Sequence, residues 1–166
     1  MMAKMTVGNG ITEYIALFGN LEFSTSLIIG KSIYEGAKIV ADAIREEIKS
    51  LPVVPDDAEE RKSQRGKKRN PTQTEIDGML EGLGIAKMQN DSGFYNVKIG
   101  MDGYNANVTE EYPNGKPNAM IARSIESGTS FMRKNAFITR AVRKTRKQAE
   151  NAMKDEVDKQ INKIMK

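Results

Sequence analysis

Carboxylates, amines and hydroxyls are the reactive groups on offer in this 166-residue sequence, which has no His, Cys or Trp. Those absences exclude imidazole acid–base catalysis, thiol nucleophiles, the common Cys/His metal sites and any disulfide framework. Asp77 and Glu81 stand four apart, Asp155, Glu156 and Asp158 lie close together, and Asp102, Glu110, Glu111 and Glu126 are dispersed. A two-carboxylate hydrolase needs a cleft and a defined carboxyl separation, and the spacing supports neither. Ser50 beside Lys49 is a chance-level pair. The sequence therefore reads as non-enzymatic, with no catalytic residue, cofactor or metal ligand.

Charge is the stronger signal. The 26 Lys+Arg and 22 Asp+Glu give +4, but the distribution is uneven. Residues 1–60 sum to −5, 61–132 to +2 and 133–166 to +7. Such asymmetry suits head-to-tail subunit contact, an anionic partner or a solvated surface. Arg61, Lys62, Arg65, Lys67, Lys68 and Arg69 form an anion-binding or docking candidate within an exposed 52–73 loop, where no side chain is expected to be buried. No aromatic residue interleaves them as a single-strand stacking platform would require. Leu27-Ile28-Ile29 is the longest apolar run near the start. It is too short for a signal core or membrane span, and the cysteine-free composition fits a reducing compartment. A soluble protein made in a cytoplasm is expected, with no membrane partner.

The elements that position these groups follow from periodicity. Ile11 to Phe18 predicts two helical turns. From about Glu22 to Leu51, Leu27, Ile33, Ala37, Val40, Ala41, Ile44 and Ile48 form one helical stripe ended by Pro52. GLGIAKM (82–88) and FYNVKIGM (94–101) predict a glycine-rich two-strand hairpin with a four- or five-residue loop at Asn90–Gly93. GLGIAK lacks the order of a nucleotide fingerprint, and no phosphate-loop motif occurs. Residues 104–117, punctuated by Pro113, Asn114-Gly115 and Pro117, read as a long loop (a variable segment in the family resemblance below), Asn118 is a predicted cap for a helix to Ser127, and Gly128 its stop. A basic helix spans about Asn135–Met165, with an apolar face through Ile138, Ala141/Val142, Thr145, Ala149 and Val157. Its tail is long enough to overhang the domain. The expected fold is α+β in one domain: long N- and C-terminal helices packed on a small antiparallel sheet containing the hairpin.

This order resembles a known family, the small tail-component proteins of long-tailed, non-contractile phages, also called tail-completion or head-to-tail joining proteins. The resemblance covers most of the chain. It rests on the helix from Gly19 to Leu51, the GLGIAKMQNDSGFYNVKIGMDGYN segment at 82–105, IARSIESGT at 121–129 and NAFITRAV at 135–142. Glu126, Gly128 and Thr129 match the family's ARxxExGT signature, and Phe137 matches its Pro-Phe pair. Asp77-Gly78-Met79-Leu80 keeps only the glycine and leucine of a Thr-Gly-x-Leu turn, and Ala136 replaces the usual proline.

The resemblance implies a non-enzymatic ring, expected to be a hexamer when assembled and a monomer when free, in the virion neck. It would join the head-closure or connector protein to the tail terminator or tail tube, around passing double-stranded DNA, after synthesis in the bacterial host cytoplasm. A ring needs unlike surfaces on successive subunits. Arg140, Arg143, Lys144 and Arg146 are expected to face Asp42, Glu46 and Glu47 of a neighbour, or another neck protein. The rival reading is a nucleic-acid-binding protein using residues 61–69 and the basic helix; a helical homodimer scaffold is a second rival.

Overall fold

The computed structural model describes residues 22–56 and 66–165. The turns expected at Ile11–Phe18 and the basic residues Arg61, Lys62 and Arg65 lie outside them. Among the described residues the fold is α+β. Two long helices, α1 (Glu22–Lys49) and α4 (Phe137–Ile164), are joined by a short helix α2 (Gln73–Gly82), four short strands and a second short helix α3 (Asn118–Ser127).

The most extensive packing is between α1 and α4. Glu47 meets Arg140 near one end, and Gly36 lies against Met153 further along, so the helices run antiparallel. Small side chains allow their close approach: Ala37 and Ala41 on α1, and Ala141, Thr145 and Ala149 on α4, are all buried. The Thr145 hydroxyl donates to the Ala141 carbonyl at 2.8 Å, so its polarity is satisfied within the helix. Each helix has 28 residues, about 42 Å at 1.5 Å per residue. The C-terminal tail does not overhang by itself, because α1 accompanies it. The predicted stripe ends early: Leu27 is 61% exposed and Val142 lies outside the seam.

The core gathers at one end of this pair. Ile44, Ile48 and Leu51 meet Ile76 and Met79 of α2, Ile121 and Ile125 of α3, and Phe137 of α4. A capping box starts α2: Thr72 Oγ1 accepts from Glu75 N, and the Glu75 carboxylate accepts from Thr72 N. This corrects the expectation that 52–73 buries nothing. Thr72 and Glu75 are 1% and 4% exposed, and α2 occupies the stretch read as a sheet entry.

The single two-strand hairpin is also corrected. Strand β1 (Leu83–Ile85) pairs with β4 (Ile99–Met101), and β2 (Gln89–Asp91) pairs with β3 (Phe94–Asn96), both antiparallel. Residues 86–88 oppose only 97–98 between these pairs, which makes a bulge. Tyr34 of α1 secures it, its hydroxyl accepting from Met88 N at 2.8 Å and donating to the Ala86 carbonyl. The turn is Ser92-Gly93, both with positive φ (55° and 94°), two residues rather than four or five. Asn118 does not cap α3. Its amide instead donates to the Asp102 carbonyl at 2.9 Å in the buried space beside Gly82.

Ile48 is fully buried at the centre of the core. Ile48→Ala should lower unfolding free energy by about 2–5 kcal/mol, through lost burial and the cavity left behind, as read from the urea midpoint.

Candidate functional site

The residues that carry the family resemblance meet at the junction between α3 and α4. Ala136 precedes α4 and offers no capping side chain. Glu126, at the end of α3, does the work from a distance: its carboxylate accepts from Ile138 N at 2.8 Å and Thr139 N at 3.1 Å, as well as from the Thr139 hydroxyl. Those are among the backbone donors that a helix start leaves unpaired, and the negative charge suits the positive end of the helix dipole. Gly128 turns the chain with φ +75°, and a Cβ there would stand 2.9 Å from Cβ of Lys134. Thr129 closes the loop, its backbone N–H donating to the Met132 carbonyl and its hydroxyl accepting from Met132 N. Phe137 is fully buried. Glu126, Gly128, Thr129 and Phe137 thus form one folding junction, and each has an internal structural task.

The charged candidates separate differently. On α1, Asp42 pairs with Arg45 and Glu46 with Lys49 across single helical turns. The Lys49 ammonium holds the Glu46 carboxyl below its ordinary range, chiefly through their hydrogen bond. Glu47 accepts from Arg140 Nε at 2.7 Å within the same chain, while Arg140 Nη2 donates to Asn135 Oδ1. Antiparallel packing thus gives Arg140 an acidic partner on α1 of its own chain. Arg146 pairs with Glu150 at 2.9 Å, one turn along α4. Arg143, Lys144 and Lys147 are exposed, and no ion pair joins them to an acid among the described residues. With Arg140 they recur at helical spacing and make one basic stripe.

Of the basic-loop candidates, Lys67 and Lys68 are exposed. Arg69 is not available to an anion. Its guanidinium grips both oxygens of Glu75 at 2.8 Å and also donates to the Asn70 carbonyl. Its backbone bridges to the segment around Met132, with Arg69 N donating to the Phe131 carbonyl and Arg133 N to the Arg69 carbonyl. Burial acts to raise the Glu75 carboxyl. It is outweighed by the hydrogen bond from Arg69 and the Thr72 amide, so the pKa falls below the ordinary value of 4.5. Sequence reasoning missed this anchor because Arg69 ends a basic run; the legible signal was the Thr72-x-x-Glu75 spacing.

No group of three or more metal-ligating side chains occurs among the described residues, nor does any helix there have the length and apolarity to cross a membrane. Comparison with protein families, curated proteins and solved structures gives no match.

Two predictions follow from this geometry. Gly128→Ala should cost at least about 1–2 kcal/mol of stability, because alanine resists positive φ, and chemical unfolding reads the loss. Arg69→Met strands a buried carboxylate and should cost about 3–5 kcal/mol near neutral pH. The native pair stabilises fully above the unfolded carboxyl's pKa and loses that contribution as pH falls through the lowered folded value. The difference between wild type and Arg69→Met should therefore shrink under acid; a pH-independent difference would refute the assignment.

Proposed function

We propose that this chain is a non-enzymatic structural subunit of a long-tailed phage neck. It forms a ring, hexameric when assembled, that joins head-side connector or closure proteins to the tail terminator or tail tube around the DNA passage. The observation that carries this reading is the convergence of Glu126, Gly128, Thr129 and Phe137 on the start of α4. The resemblance thereby rests on positions with specific geometric demands and not on scattered identities. A shape built of two long paired helices with a strand ribbon along one side also suits surface matching.

The charge layout refines the interface. Asp42, Glu46 and Glu47 already have partners in their own chain, so a neighbour's α1 is a poor match for the basic stripe. Arg143, Lys144 and Lys147 instead turn toward an acidic surface on an adjoining neck protein, while the glycine-rich strands and the basic loop supply further docking surface. Exposed single ion pairs contribute only about 0–1 kcal/mol each, so the stripe acts through several charges together. The charge reversals Arg143→Glu and Lys147→Glu should leave the fold intact and abolish head–tail joining. Intact joining by the double variant would remove the stripe from the interface, and a neck reconstruction lacking this chain would remove the ring assignment.

The helically spaced basic positions also favour a second reading, contact with double-stranded DNA through the stripe, Lys67 and Lys68. Phosphate binding releases counterions, so affinity should fall steeply between about 50 and 200 mM salt. Absence of duplex binding at the lower salt would end that reading.

A further inference from the structure

The glycines fall into two groups. At Gly78 a Cβ would stand 2.6 Å from Asn118 Oδ1, and at Gly82 and Gly115 it would run into a backbone carbonyl. Those positions need glycine for close internal approach. Gly84 and Gly100 differ. They face each other across the β1–β4 pair, are exposed, and have no positive φ. Nothing lies within 4 Å of a Cβ on Gly100, and only the Gly82 carbonyl, at 4.0 Å, meets one on Gly84. The fold would accept β-branched residues here, which strands favour. Glycine in a strand interior often marks a place where another group approaches closely.

An open groove of about 310 Å³ lies along this pair, lined by Ile85, Ala86 and Met101 as well as both glycines, with Lys98 among its borders. Its complement is on the same ribbon. Phe94 is 76% exposed, more than any other large apolar side chain among the described residues, and pairs with Asp91 beside the Ser92-Gly93 turn. A ring of that size fits: benzene fills a cavity of about 150 Å³. Gly100 lies six positions beyond Phe94, about 20 Å along the strand, so a chain's own Phe94 cannot fill its groove.

We propose that Phe94 of one copy docks in the Gly84–Gly100 groove of a second copy, with Asp91 approaching Lys98. Knob and groove are unlike surfaces, so each copy offers one of each and successive copies can close a ring. The choice of a second copy as occupant rests on the ring reading above. The contact is small, so it registers subunits that other neck contacts hold together.

The cysteine-free sequence makes a direct test possible in the full-length protein. Ser92→Cys, which leaves Phe94 in place, mixed with Gly100→Cys under mild oxidant should form a 92–100 cross-link at least about tenfold faster than Val108→Cys mixed with Gly100→Cys, the ratio an interaction of ~1.4 kcal/mol brings. Val108 is a suitable control because it is 66% exposed and does not line the groove. Adding Gly84→Val to the Gly100→Cys chain should return the rate to the control while leaving the urea midpoint unchanged. Equal rates for the two pairs, or a rate insensitive to Gly84→Val, overturn the docking. A neck reconstruction separates the two readings. A ring of this chain without the 94–100 contact overturns the docking and keeps the ring, whereas a specific cross-link in a chain absent from the neck overturns the ring and keeps the docking.

Discussion

The antiparallel contact of α1 with α4 is the constraint on which the other elements depend. It is made by Ala37, Ala41, Ala141, Thr145 and Ala149, side chains too small to build a broad core but small enough to let two backbones approach. Close approach gives many weak dispersion contacts over a long seam. The larger apolar residues gather at one end, where Ile48, Met79, Ile125 and Phe137 interlock. Anything that shifts α4 along α1 must separate Glu47 from Arg140 and move Met153 from beside Gly36. The register is thus set by one charged contact near the core and one steric fit farther out.

Two helices in this fold begin by different solutions to one problem. Every helix start leaves backbone N–H groups without intrahelical acceptors. At α2 the solution is local, with Thr72 and Glu75 serving each other across one turn, and Arg69 then neutralising the buried carboxylate. At α4 it is remote, with Glu126 reaching from the end of α3. The remote cap does more than complete hydrogen bonds, because it ties the position of α3 to the start of the long helix. Gly128 and Thr129 shape the short link that makes the reach possible.

These differences explain what was legible in the sequence. The long helices and the returning strands announce themselves by period, since apolar spacing reports a buried face directly. The α2 capping box was legible too, but the basic run before it drew Arg69 into the wrong group. Type and spacing give a charge its sign and not its partner. Arg69 and Lys68 are adjacent in sequence, yet one is bound to a buried carboxylate and the other faces solvent. Likewise Arg140 and Arg143 lie one turn apart, but only the first falls opposite Glu47. Asn118 had the composition of a cap and was claimed by the Asp102 carbonyl, a competitor sixteen residues away that local reading cannot see.

An unmatched feature gains meaning only after the chain's own contacts are accounted for. A glycine whose Cβ would collide with Asn118 or Lys134 is explained by its own chain. Acids on α1 that pair within a turn are explained in the same way. Features that these internal accounts leave over include a basic stripe on α4, an exposed Phe94, and a cross-strand glycine pair with room to spare. Each costs the isolated chain something, through like-charge repulsion, exposed apolar area or lost strand propensity. Within the described residues Arg140 alone of the stripe has an ion pair, with Glu47, and Phe94 stays 76% exposed. Their joint presence on a fold with a continuous core is the ground on which the proposed contacts between molecules rest.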